Sequence, residues 1–247
     1  MNMKSIAVAV LAAAVLAGSG SIGSAAAPAM QMGDRKPFGN GHAQSWVQRN
    51  AAGDIAAFGV SFDEAALAKL GAKQDQVILP LPAATGLPFK TATIEWNPQG
   101  HPPAHVYDVP HFDFHFYTID EATRSSIGMA GPAAKATPAP DTVPKGFITD
   151  GGTVPMMGKH YLAAAMPEFS GGTFSATPIY GYYNGHLAFV ESMVTLDYLK
   201  AKKSAGGALA QPARFEQAGA YPTQWSISYD ATTAGYDVAF GAVTPHT

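Results

Sequence analysis

The sequence predicts a mainly β fold, an antiparallel β-barrel or sandwich with a few short helices. Three observations carry that expectation. Polar and aromatic residues alternate strictly from His111 to Tyr117, as on a strand with one chemical face and one apolar face. Asn184-Gly185 stands between two apolar runs and marks a hairpin, because both central positions of a type I′ turn take positive φ. Trp225, Ile227 and Tyr229, then Tyr236, Val238 and Phe240, alternate on either side of a loop and close the chain with a second hairpin.

From the start of the chain, residues 1–26 read as a signal peptide. Lys4 supplies a positive n-region, Ile6 to Ala17 an apolar run too short to cross a bilayer comfortably, and Ala25 to Ala27 small residues that suit signal peptidase. Pro28 fits a protease subsite badly, so the mature chain is expected to begin near Ala26 or Ala27. That implies a periplasmic or secreted protein with no membrane span after signal removal. Residues 27–37 read as a flexible linker and 38–247 as one β-rich domain, with 47% hydrophobic content supplying its core. The formal charge of −3 becomes −4 without Lys4, and no basic cluster points to nucleic acid. The absence of cysteine excludes disulfides, iron–sulfur clusters and a thiol nucleophile, leaving mainly nitrogen and oxygen as metal donors.

Within the domain, Ala43 to Arg49 and Ile55 to Ser61 read as a hairpin around Asn50 to Asp54. Ser61, three residues before Glu64, has capping-box spacing and predicts a helix through Leu67 and Leu70 that Gly71 stops. Val77 to Pro82, broken by prolines, suits an edge strand. Thr91 to Trp96 is a strand leading into the turn Asn97-Pro98-Gln99-Gly100, and Pro102, Pro103 and Pro110 keep helix out of the segment between that turn and His111. Asp120 caps a short helix to about Ile127, and 128–144 is the longest loop, either an ordered lid or a mobile excursion. A turn-rich run from Gly151 ends in His160. The Asn184-Gly185 turn pairs Tyr183 with His186, which puts Tyr180, Tyr182, Leu187, Phe189 and Glu191 on one face, the expected core face. Thr195 caps a helix running to Lys202 and Lys203, with Gly206-Gly207 as its stop.

The chemistry gathers on the central strand. A helical reading of His111 and His115 scatters the neighbouring aromatics around a cylinder, whereas the strand reading collects them. Strand positions two apart lie roughly 6.6 Å from each other and positions four apart roughly 13 Å. One ion, about 2.1 Å from each imidazole nitrogen, therefore cannot easily be closed by the strand alone. The expected site uses one or both of His111 and His115, Asp113 as a ligand or as an acceptor orienting an imidazole, and His160 and Glu191 converging on these three in space. His101, His105 and Tyr107 are candidates to orient or gate it, with a purely structural loop role as the alternative for the two histidines. Zinc is the first expectation for the divalent transition metal, with iron, manganese or copper as alternatives; Met156 and Met157 beside His160 raise the copper reading. The competing account is a hydrogen-bonded polar seam with no ion, which leaves few acceptors for the imidazole N–H groups. His42, His186 and His246 read as structural or exposed. No nucleophile elbow, P-loop or dinucleotide fingerprint is present.

The run from Trp96 through His101-Pro-Pro to Val109-Pro-His-Phe-Asp-Phe-His-Phe-Tyr117 resembles the signature of a bacterial family of secreted proteins of unknown function, one member of which is under sigma-E/anti-sigma-E control. The resemblance extends to Val154 to His160, to Tyr180 to Gly185 with Phe189 to Met193, and to Tyr221-Pro222. It implies a β-rich single domain with histidine-dependent metal binding, and brings no agreed reaction. Ser192 stands where that pattern often has proline after the glutamate. Two functions stay open: an exported metal-binding protein, with or without catalysis by activating water or a substrate oxygen, and a non-catalytic envelope protein that binds an unknown small molecule or assembles as a homo-oligomer.

Overall fold

The structure, a computed structural model, describes residues 29–84, 86–149 and 151–247; the signal-peptide reading of 1–26 lies outside the described residues. The chain first lays down β1 (Ala29–Met32), β2 (Lys36–Phe38), β3 (Gly41–Arg49) and β4 (Ile55–Asp63). A second sheet is built from β5 (Asp75–Pro80), β6 (Thr91–Asn97), β7 (His111–Tyr117), β8 (Phe147–Ile148), β9 (Lys159–Ala163), β10 (Ala176–Tyr183) and β11 (His186–Thr195). The chain then returns through β12 (Ala205–Ala208), β13 (Gly219–Tyr221), β14 (Gln224–Asp230) and β15 (Gly235–Gly241) to β16 (Thr244–His246). Two antiparallel seven-stranded sheets result, one ordered β1-β3-β4-β15-β14-β12 with β2 also on β3, the other β5-β6-β7-β11-β10-β9-β8. They pack as a sandwich, and among the described residues neither closes into a barrel. Strands β13 and β16 form a small sheet of their own.

Strand β7 is central in its sheet, between β6 and β11, and its alternation serves both faces. Phe112, Phe114 and Phe116 point into the space between the sheets and are fully buried. Phe114 stacks on Phe62 of the opposite sheet at 5.6 Å, and Phe116 meets Phe58 and Phe240 edge-on at 5.5 and 5.2 Å. Burying each such side chain stabilises the fold by roughly 1.5–3 kcal/mol. This inner face fixes the register of β7, because a slip of one residue would exchange three phenylalanines for charged and imidazole groups.

Three short helices, α1 (Glu121–Ser126), α2 (Pro132–Lys135) and α3 (Leu196–Lys200), decorate the sandwich. Asp120 caps α1 by accepting from the Thr123 N–H, and Thr195 caps α3 by accepting from the Tyr198 N–H, as the sequence predicts. Segment 128–144 is not featureless: it holds α2 and a 3₁₀ turn at Pro140–Thr142, where the Thr142 carbonyl accepts from the Tyr182 hydroxyl at 2.7 Å.

Four expectations need correction. Of the segment 27–37, expected as a flexible linker, the described residues 29–37 hold β1 and the first two residues of β2, and both strands pair with β3. Ser61 does not start a helix; it continues β4, where its hydroxyl donates to Asp237 across the ladder, and only a 3₁₀ turn at Glu64–Leu67 comes after it. Gly206 and Gly207 lie in β12 rather than acting as a stop, because α3 already ends at Lys200. The shared face of the Asn184-Gly185 hairpin is also wrong beyond the first pairs. Tyr183 does pair with His186 and Tyr182 with Leu187, but a β-bulge then pairs Gly181 with Phe189 and Ile179 with Glu191. The extra residue, Ala188, turns Phe189 and Glu191 away from Tyr180 and Tyr182, onto the outer face of the sheet.

Candidate metal centre

The outer face of β7 is as buried as the inner one, because the segments around Tyr107, Phe169 and Phe174 lie over it as a separate apolar cluster. Ladder pairing sets what stands beside each β7 side chain. His111 has Asn97 on one side and Thr195 on the other; Asp113 has Glu95 and Met193; His115 has Thr93 and Glu191. His160 reaches the same face from β9, where it pairs with Gly181. The missing Cβ at Gly181 is essential here, since one would lie 2.0 Å from the Phe189 ring, which packs against both His115 and His160.

These residues form two groups instead of the single convergent site expected from sequence. In the first, His111 Nε2 lies 3.2 Å from Asp113 Oδ1 and His101 Nε2 lies 3.3 Å from Asp113 Oδ2. In the second, His115 Nε2 and His160 Nε2 lie 3.2 and 3.7 Å from Glu191 Oε2. Each group offers one donor atom per residue within 4.8 Å of the others, so each could hold a metal ion. The strand spacing explains the division: His111 and His115, four residues apart on β7, are roughly 13 Å apart at the backbone. Each therefore recruits its own partners.

The outward nitrogens of the imidazoles are fixed by their inner ones. His111 Nδ1 donates to the Val109 carbonyl at 2.7 Å and His101 Nδ1 to the Pro102 carbonyl at 2.8 Å. A carbonyl can only accept, so in the neutral ring the Nε2 lone pair faces Asp113 in both cases. His115 Nδ1 lies 3.4 Å from the Thr93 hydroxyl and 3.9 Å from Glu95, again leaving Nε2 for Glu191. Asp113 is steadied in turn by the Asn97 amide, which donates to Oδ2 at 2.7 Å.

Four of the facing atoms, His111 Nε2, Asp113 Oδ1, His115 Nε2 and Glu191 Oε2, are buried and make no hydrogen bond. The members of each pair are 3.2 Å apart yet not aligned for an N–H···O bond. Leaving such groups unpaired is expensive. Two donors bound about 2.1 Å from a common ion stand about 3.0 Å apart at a right angle and about 3.4 Å apart at a tetrahedral one. The His111–Asp113, His101–Asp113 and His115–Glu191 separations of 3.2, 3.3 and 3.2 Å lie between those limits, and the 3.7 Å between His160 and Glu191 lies a little beyond them.

Proton and ion compete for the same lone pairs. Burial opposes charge on His101, but contact with Asp113 outweighs it and raises the imidazole to about 9. His115 also stands at about 9, where the charge and contact of Glu191 overcome full burial. Asp113 is held well below the carboxylate range by His101 and His111 against the burial cost, and burial holds His160 low despite Glu191. Glu95 is pushed up by burial, with Asp113 and Glu191 adding to the effect.

The expected gate residues divide. His101 is a full member of the first group, His105 is exposed and lies beside Asp108, and Tyr107 is buried with its hydroxyl on Glu168. Asn97, Thr93, Glu95 and Glu168 were not singled out from sequence, although strand parity from His111 to His115 would have aligned the first three. No protein-family model, curated protein or solved structure matches the chain.

Proposed function

We propose that this is an exported metal-binding protein holding divalent transition-metal ions at two separate sites, each of two histidines and one carboxylate. The observation that carries the reading is the pair of buried, unbonded nitrogen–oxygen contacts, His111 with Asp113 and His115 with Glu191, each 3.2 Å long. Such donor sets suit zinc first and iron(II), manganese or copper next. Three protein donors leave coordination positions for water or a small oxygen ligand, and the partly exposed His101 and His160 side chains, 32% and 21% accessible, mark the sides from which these arrive.

Elemental analysis of the purified mature protein tests this, beside His111→Ala, His115→Ala and Glu191→Ala. Two ions per chain are expected, with each variant losing one. A protein that stays metal-free in the presence of zinc, iron, manganese and copper, with no thermal shift on adding them, overturns the proposal.

A further inference from the structure

The first group takes one donor from a loop, and that loop is built around a buried tyrosine. Gly100 sits at φ +67, so tightly folded that a Cβ would lie 2.0 Å from the Tyr107 carbonyl oxygen. The His101 N–H donates to that carbonyl at 3.1 Å, and the N–H groups of Val106 and Tyr107 both donate to the Pro103 carbonyl at 3.2 Å. Residues 100–107 thus close on themselves, with the His101 and Tyr107 rings 6.0 Å apart. Tyr107 is 1% exposed and meets the Phe174 ring edge-on at 4.7 Å; Phe174 in turn meets His111 at 5.4 Å. Its hydroxyl donates to Glu168 Oε1 at 3.2 Å, and the Thr177 hydroxyl on β10 donates to the same oxygen at 2.5 Å.

Glu168 is a buried carboxylate outside both metal groups, joined through two hydroxyls to a loop and to a strand. Its effect is to tie the loop that carries His101 to the sheet that carries His111 and Asp113. Resting on the two-site reading above, we propose that Tyr107 and Glu168 are positioning residues that hold His101 as a donor, and so set the affinity of the first site without touching its ion. The second site draws all three donors from strands and has no need of this anchor.

The test uses the mature chain and Zn²⁺ alone, with Glu191→Ala isolating the first site and His111→Ala the second. Loss of an outer hydrogen-bond partner typically weakens a metal site about 10–100-fold. Tyr107→Phe, which removes only the hydroxyl, is expected to weaken zinc at the first site by about 10-fold and speed its release to a chelator, leaving the second site unchanged. Glu168→Gln, whose amide oxygen still accepts, should retain more affinity than Glu168→Ala. In a His101→Ala background Tyr107→Phe should have no further effect, because the residue through which it acts is gone. Equal weakening of both sites, an unchanged first site, or the same loss with and without His101 overturns the inference alone. A wild type that binds no zinc overturns the two-site reading and this inference together.

Discussion

His115 and Glu191 show how much one contact can decide. They are ladder partners on β7 and β11, both buried, and share a 3.2 Å approach that is not a hydrogen bond. In the metal-free protein His101 and His115 are raised from 6.5 to about 9. A group raised on folding stabilises the fold fully below its unfolded pKa, near 6.5, and that contribution is lost as pH climbs through 9. Metal binding has the opposite trend, since it needs the deprotonated ring. Thermal melts across that range should show chelated protein losing stability as pH rises, while the shift produced by zinc grows. A zinc shift that shrinks with pH would contradict the assignment. Asn97→Leu removes the amide bonded to Asp113 and is expected to weaken the first site by about 10-fold, read by zinc titration of the Glu191→Ala protein. At this scale the sequence was half legible. Residue types and strand parity brought His115, His160 and Glu191 to attention, and the structure does bring those three together. The pairing of His101 with Asp113 was hidden, because it depends on a loop closure with no periodicity to read.

The bulge at Ala188 matters as much as any donor. Without it, continuous pairing from Asn184-Gly185 would turn Glu191 toward the inter-sheet core, and a buried carboxylate would face phenylalanines. Hairpin position and first pairs were readable from the turn; the bulge was not, since its cause is spatial. Phe189 needs the space over Gly181, and the Ala188 carbonyl accepts from the Thr118 N–H beyond the end of β7. Gly181→Ala is therefore expected to destabilise the protein by about 1–3 kcal/mol through overpacking. It should also weaken zinc at the second site more than at the first, because Phe189 packs on His115 and His160. Denaturant melts and single-site titrations check both parts. The misread helix at Ser61 has a similar origin: a local capping pattern lost to a strand ladder with β15, which lies far away in sequence.

For the whole molecule, the sandwich separates stability from chemistry on opposite faces of one sheet. Phe114→Ala should cost about 3–5 kcal/mol by denaturant melts, whereas the ligand variants should leave the metal-free protein folded. Each occupied site should add about 2.7 kcal/mol when free metal is 100 times its dissociation constant, seen as a rise in melting temperature that a chelator reverses. Fold class was legible because alternation is a local property of strands. The choice of sandwich over barrel was not, since it is fixed by which edge strands remain unpaired.

The different origins of the two donor sets also bear on when each comes into being. His101, His111 and Asp113 lie within one short stretch of chain, while His115, His160 and Glu191 come from three strands of the second sheet that are far apart in sequence. Long-range strand pairing is the slow part of forming such a sheet. On the two-site proposal, a newly made chain would gather ions on its local histidines early, but would complete the His115–His160–Glu191 set only after β11 has docked beside β7. On that proposal, occupancy of the second set would mark finished folding. Metal held by the unfolded chain at the local set, by contrast, reduces the stability gained there.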